Sequence, residues 1–259
     1  MPNIHPSALV SDKAALADDV SVGPFAIIAA GARIGAGCKI GAQAWITSHA
    51  VIGENNDIGY GSIIGGDPQD TSFDTSVSSG VVIGDNNCIR EYVTIHRSIY
   101  EGKNTTLGNS NFLMTGVHMA HDVQVGNFNN IANNVLLAGH IIMGDRIFLG
   151  GGSALHQFLH IGDYSIVQGN AAISRDVPAF CTVHGNNQLS GLNVIGLRRG
   201  GFSAEERSEI KRAYRLLFRS GGNLKEALDT ATEIEWSCGA EKLLESARSP
   251  SRKGLITRM

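Results

Sequence analysis

The sequence predicts a mainly β fold: a parallel β-helix followed by a small α-helical domain. Three observations predict it. First, an aliphatic residue recurs every six positions, at Ile4, Val10, Leu16, Val22, Ile28, Ile34, Ile40, Ile46, Ile52, Ile58 and Ile64. The frame resumes at Ile83, Ile89 and Ile95. It resumes again from Leu107 through Leu113, Met119, Val125, Ile131, Leu137, Met143, Leu149, Leu155, Ile161 and Val167 to Ile173. A six-residue aliphatic period suits a parallel β-helix, one short strand and one corner per hexad. Second, 32 glycines accompany only 6% aromatic residues, which suits tight corners around a narrow interior. Third, the frame gives way after Ile173 to helical patterning.

The hexads resemble those of the hexapeptide-repeat acyltransferases. In this sequence glycine often follows the aliphatic residue (Gly23, Gly35, Gly41, Gly53, Gly59, Gly65). A small or branched residue stands four after it (Ala8, Ala14, Val20, Ala26, Ala32, Cys38, Ala44, Ala50). The resemblance implies a left-handed helix in which three successive hexads make one triangular coil. The frame breaks over 66–81 and 98–106, and both stretches are expected to leave the prism as loops. Long loops on a rigid repeat are often functional.

Residues 1–180 are assigned to the β-helix and 181–259 to a crossover and a helical domain. Residues 174–201 read as an irregular crossover. Ser203 with Glu206 three later is a capping-box signature, and Gly221 and Gly222 close that helix. Residues 223–238 read as a second helix capped by Asn223, and 240–249 as a third. The helical domain is expected to cap the open end of the prism.

Composition excludes several classes. A net charge of −3 does not favour nonspecific nucleic-acid binding. Cys38, Cys88, Cys181 and Cys238 form no CxxC pair, so neither a zinc site nor a disulfide framework is indicated, and a reduced cytoplasm is expected. No basic segment precedes an apolar run at the N-terminus, and no stretch approaches ~18 apolar residues, so neither a secretory signal nor a membrane span is expected.

With three hexads per coil, His121 lies beneath Gly139 and then Gln157, and Asp122 beneath His140. His121, Asp122, Gly139, His140, His156 and Gln157 should therefore cluster, with His118 and His96 on nearby strands. A histidine near neutral pKa can deprotonate a hydroxyl or amine. A glycine amide one coil away can hold an acyl-transfer oxyanion. Taken singly, each histidine also reads as a surface residue bonded to a neighbouring strand. Three histidines at a subunit interface would suit zinc, as in hexapeptide proteins resembling gamma-class carbonic anhydrases.

"IREYVTIHR" (89–97), "HMAHDVQVGN" (118–127), "NNVLLAGH" (133–140), "ALHQF" (154–158), "RDVPAF" (175–180) and "GLRRGGFS" (196–203) resemble, in this order, the motif series of the bacterial UDP-N-acetylglucosamine acyltransferase family, which opens lipid A biosynthesis. The resemblance runs from the first hexads to "RKGLITR". It implies a homotrimer with active sites between prisms. The donor would be a 3-hydroxyacyl group on the phosphopantetheine of acyl carrier protein, with no other cofactor and no metal. The acceptor would be the 3-position of UDP-N-acetylglucosamine. It also implies roles: His121 as general base, Asp122 as its partner, Gly139 as oxyanion donor. His96, His118, His140, His156, Gln157, Gln69 and Asp70 match substrate-contacting positions, and Asn193 and Arg199 match nucleotide-binding ones. Gly169 stands where the family gauges chain length, with Gln168 beside it.

Three positions depart from the family pattern. Ser72 replaces a lysine, Ile195 a glutamate and Gly200 an arginine, all on the sugar-nucleotide side. A 3-amino UDP-sugar, giving an amide, is therefore an alternative acceptor. Small acetyl-CoA-dependent acetyltransferases are another alternative, though they commonly lack such a helical tail. From Arg198 to Arg219 seven basic residues face three acidic ones. Arg212, Arg215 and Arg219 fall at i, i+3 and i+7, a stripe expected to dock the acidic carrier protein.

Overall fold

The computed structural model describes residues 1–257. Three sheets of short strands, with 11, 9 and 8 members, form the three faces of a prism. The first face runs from Asn3–Ile4 to Gln188–Leu192, the second from Leu9–Val10 to Ala172–Ile173, the third from Ala15–Leu16 to His160–Ile161. Successive coils pair in parallel and in register, Ile4 on Val22 and Val22 on Ile40. The frame's aliphatic residues point inward: Ile28, Ile46, Ile64, Ile95, Met119, Leu137 and Leu155 are all buried, and burial of such stacks is the main force closing the coil.

The three-hexad register slips at two coils. Ile58 pairs with Ile89 and Ile89 with Leu113, because extra chain leaves the prism between them. The first excursion lies between strands Ile63–Gly66 and Gly80–Ile83, the second between Thr94–His96 and Asn104–Leu107. Polar groups in the narrow interior are paired along the axis. The Asn56, Asn87, Asn111 and Asn129 side chains are buried, and each Oδ1 accepts the backbone amide one coil on, ending at Ile147. A buried amide left without partners would cost ~1–3 kcal/mol, so the ladder is what allows asparagine there.

Residues 174–201 are more ordered than the expected irregular crossover. Cys181–His184 continues the first face in parallel with Ile166–Val167, then pairs antiparallel with Gln188–Leu192. Helix α1 (Val194–Arg199) follows, its first turn closed by the Asn193 side chain. Helix α2 (Ala204–Arg219) carries the capping box expected of Ser203 and Glu206, with both hydrogen bonds formed. Helix α3 (Leu224–Ala231) is capped by Asn223 as expected but is shorter than 223–238. The Trp236 indole N–H donates to the Ala231 carbonyl and the Thr232 hydroxyl to that of Asp229, so side chains take over where the helix ladder ends. Helix α4 (Cys238–Arg248) begins two residues before the expected start.

The helical domain is fastened to the last coils. Lys242 of α4 pairs with Asp163, and the Ser246 hydroxyl accepts the Ala179 amide. The tail returns to the prism, where buried Asp176 binds Ser251 through its side chain and Ile256 through its backbone.

Candidate active site

One corner of the prism, between the second and third faces, gathers nearly all the chemistry. Both excursions depart from this corner, on two successive coils. Above them the corner is turned by Asp122, His140 and Phe158, each one full coil after the last, with φ of 61°, 63° and 69°. Such left-handed backbone is disfavoured for side chains bulkier than glycine, though Asp and His tolerate it better than most.

His121 precedes this turn. Its Nδ1 lies 2.9 Å from Asp122 Oδ2, which leaves Nε2 for other partners. The His140 amide donates to the His121 carbonyl and the Phe158 amide to that of Gly139, so the three corners are locked in register. A Cβ on Gly139 would stand 2.7 Å from His121 Cε1, so only glycine fits beside the ring. Among the described residues the Gly139 amide makes no hydrogen bond. Asp122 is held from several sides, by the Ser98 hydroxyl, the Ile99 amide and His121. Burial raises its pKa, but those hydrogen bonds outweigh burial and keep the carboxyl below its usual range.

His140, His118 and His96 surround this pair, and burial disfavours the charged form of each. His140 stacks face to face on Phe158 at 4.4 Å and meets the His121 ring edge-on at 5.0 Å; burial pushes its pKa down. His118 accepts or donates at Thr94 Oγ1, 2.7 Å away, and packs edge-on against His96 at 4.8 Å. Burial lowers His118 as well, and it pushes His96 down to about 4, helped by the nearby His118 and His121. His121, Asp122 and His140 offer ligand atoms within 4.8 Å of one another, the one such metal-competent cluster among the described residues.

Gln69, from the first excursion, joins His118, His121, Leu136, Leu155 and Gly139 around a groove of about 570 Å³ on the second face. Asp70 is exposed, and the Ser72 amide and hydroxyl both donate to its carboxylate, which lowers its pKa. Ser72 thus binds Asp70 directly, at the position where the family pattern has a lysine. A second groove of similar size lies on the third face, lined by Tyr100, Lys103, Asp122, His140, Phe158 and Arg252.

The remaining sequence-derived positions are not bonded to the dyad. His156 and Gln157 are exposed one coil above Gly139, and the His156 ring lies 3.3 Å from the Gln157 carbonyl. Gly169 stands at the other edge of the second face, near Gly151. Asn193 spends both side-chain groups on the protein, accepting the Gly196 amide and donating to the Tyr164 carbonyl. Arg199 is exposed at the end of α1. The expected stripe divides: Arg212 stacks on Trp236 at 4.4 Å, whereas Arg215 and Arg219 line a groove of about 850 Å³ with Arg198, Arg207 and Lys211.

Sequence reasoning missed Arg97, Ser98, Phe158 and Arg252. Phe158 was within reach, one coil after His140. Arg97 is buried and reaches into the first excursion, binding Asp67 Oδ1 and the Thr75 and Val77 carbonyls. Arg252, returned by the tail, lies over the Phe158 ring.

Comparison with known proteins bears on the fold and the family. Residues 176–256 match the family described as UDP-N-acetylglucosamine O-acyltransferase, domain 2, and residues 13–48 match the bacterial transferase hexapeptide (six repeats). A relative from Stenotrophomonas maltophilia (strain R551-3), named as an acyl carrier protein–UDP-N-acetylglucosamine O-acyltransferase, is 49% identical over 236 residues, 90% of this chain and 89% of its own. One of the same name from Janthinobacterium sp. (strain Marseille) is 44% identical over 99% of this chain and all of its own. The crystal structure of the Moraxella catarrhalis RH4 enzyme superposes with a TM-score of 0.92 at 39% identity, covering 98% of this chain and 99% of that one. The Campylobacter jejuni UDP-N-acetylglucosamine acyltransferase gives 0.93 at 35%, covering 99% and 100%. The fold is the left-handed parallel β-helix with a small C-terminal helical domain. The chain belongs to the acyl carrier protein-dependent UDP-N-acetylglucosamine O-acyltransferase family, and is an acyltransferase.

Proposed function

We propose that the chain moves a 3-hydroxyacyl group from acyl carrier protein to the 3-hydroxyl of UDP-N-acetylglucosamine, the opening step of lipid A biosynthesis. The single observation that carries the mechanism is the Asp122–His121 pair set against Gly139. With Asp122 holding the Nδ1 proton, His121 Nε2 takes the proton of the acceptor hydroxyl as its oxygen attacks the thioester carbonyl. The Gly139 amide faces the oxyanion. Collapse expels the carrier thiolate, which recovers the proton from the His121 imidazolium. Every proton is balanced within the two substrates and His121, so the step needs no metal and no cofactor beyond the carrier's own arm.

His96, His118 and Gln69 line the acceptor's approach, with Asp70 and the helical domain's Asn193 and Arg199 as further substrate contacts. His140, His156 and Gln157 flank the reacting centre, and Gly169 meets the far end of the acyl chain along the second face. The half-open groove is completed in a homotrimer by a neighbouring prism. The enzyme works in the cytoplasm, where carrier protein is made; no helix among the described residues is long and apolar enough to cross a membrane.

Ser72 favours a second reading. Ser72 occupies Oδ1 of Asp70 and brings no cation, so Oδ2 can receive a cationic acceptor, a 3-amino UDP-sugar. Mass spectrometry of the product, with a mixed pool of acyl carrier proteins and each sugar in turn, decides. An ester on UDP-N-acetylglucosamine is expected. An amide formed far faster on the amino sugar would select the second reading, and no acylation of either would sink both.

A further inference from the structure

We propose that Ser98 is a positioning residue for the reaction, its hydroxyl fixing which Asp122 oxygen faces His121 Nδ1 and sharing the carboxylate's charge with it. The inference rests on the reading of His121 as general base.

Ser98 follows strand Thr94–His96 and is fully buried. Its backbone is held on both sides by residues that close the first excursion. The Ser98 amide donates to the Gly80 carbonyl at 3.3 Å, and the Ser98 carbonyl accepts the Ser79 hydroxyl at 2.5 Å. Its own hydroxyl oxygen accepts the Tyr100 amide at 3.0 Å, and its proton is directed to Asp122 Oδ1, 2.5 Å away. A hydroxyl has one proton to give, and here the surroundings leave it one acceptor.

Asp122 is thereby fastened at both oxygens. Oδ1 receives Ser98; Oδ2 receives the Ile99 amide at 3.3 Å and faces His121 Nδ1 at 2.9 Å. The Asp122 amide is itself anchored on Thr105 Oγ1. Short hydroxyl-to-carboxylate bonds are strong because one partner is charged. This one does two things. It stops the carboxylate rotating away from the imidazole, and it draws negative charge towards Oδ1, which moderates the pull of Oδ2 on the His121 proton. The imidazole thus keeps Nδ1 on Asp122 and leaves Nε2 open.

The other titratable groups near the pair come from separate elements. They are His140 from the next corner, His96 from the strand before Ser98, Asp70 from the first excursion, and Arg252 acting on His140 across Phe158. None of these is bonded to the Ser98 hydroxyl, so a change confined to that hydroxyl is readable against a constant background.

The test is kcat and kcat/KM against pH for the full chain, with a 3-hydroxyacyl carrier protein and UDP-N-acetylglucosamine. The variants are Ser98→Ala and Ser98→Cys, with His121→Ala as control. Ser98→Ala should lower kcat by about 10-fold, the scale of a lost hydrogen bond to a charged group, with KM for either substrate little changed. Its acid limb should move to higher pH, because an undivided carboxylate charge favours the imidazolium. Ser98→Cys keeps the volume and a weak donor and should fall between Ala and the parent; it decides the matter where the alanine variant does not fold. An acid limb unmoved in both variants would overturn the proposal, even with reduced kcat, since that pattern belongs to packing alone. Parent-like activity in His121→Ala would instead overturn the reading of the base, and the Ser98 inference with it.

Discussion

At His96 a buried imidazole is kept neutral, and the consequence reaches stability. Burial first, then the His118 and His121 rings, bring its pKa from 6.5 to about 4. Its Nδ1 finds no partner among the described residues, so the protonated form has nothing to bind it. The unfolded chain takes up this proton near pH 6.5, the folded chain only near 4. Between those values the unfolded state holds more protons, so stability falls as pH falls through this window. Thermal midpoints measured from pH 7 to 4 should therefore drop, and His96→Gln should flatten the slope between 6.5 and 4. An unchanged slope would assign the acid sensitivity to other groups. At this scale much of the site was legible. One fixed coil length makes neighbours of His121 and Gly139, and of Asp122 and His140, and the same arithmetic reaches Phe158. Arg97 and Ser98 escaped because they stand where an excursion interrupts the frame and coil arithmetic no longer names a neighbour. Arg252 escaped because no periodicity links the tail to the corner.

The first excursion shows what an element needs beyond its repeat. Residues 67–79 have no ladder of their own, yet Gln69 must reach the groove beside His121. Arg97 supplies the missing frame. Its guanidinium binds Asp67, Ser79 and the carbonyls of Thr75 and Val77, and lies 4.7 Å from the Phe73 ring. Arginine suits this because its planar fork serves several acceptors at once. Arg97→Met should leave the prism folded but release the loop, since the guanidinium's bonds to Asp67, Ser79 and the Thr75 and Val77 carbonyls are lost together. The expected result is faster proteolytic cleavage within 67–79 and a raised KM for the sugar nucleotide, with KM for the carrier near the parent value. Arg97→Lys should rescue little, having one nitrogen in place of the fork. If the loop resisted protease as well as in the parent, its order would come from elsewhere. The hexads announced the strands because each buries one aliphatic side chain in a fixed place. The length of α3 was hidden because it is set by Thr232 and Trp236 side chains reaching back to its last carbonyls, a tertiary detail that helical patterning does not carry.

The whole molecule must bring together a small nucleotide and a protein carrier, and we propose that the carrier docks where its cations gather. A chain of net charge −3 concentrates cations at one place, the groove beside α1 and α2. On α2, Arg207, Lys211, Arg215 and Arg219 recur every four residues and line it together, above a floor of Leu192, Val194 and Leu197. Arg212, which sequence spacing placed in the row, is turned away onto Trp236. An acidic carrier approaching this groove is attracted before contact, which raises its association rate more than it tightens the final complex. Arg215→Glu or Lys211→Glu should therefore raise KM for the acyl carrier protein by roughly 10-fold, while KM for the sugar nucleotide stays near the parent value. Arg212→Glu should do less to carrier use and more to thermal stability, since it removes a cation from the Trp236 face. Added salt should weaken carrier use in the parent, because exposed charges are screened over ~10 Å at 0.1 M, and the charge-reversed variants should be less sensitive to it. Carrier kinetics indifferent to salt, together with an unchanged KM in both groove variants, would place the docking surface elsewhere and leave the helical domain as a cap on the prism.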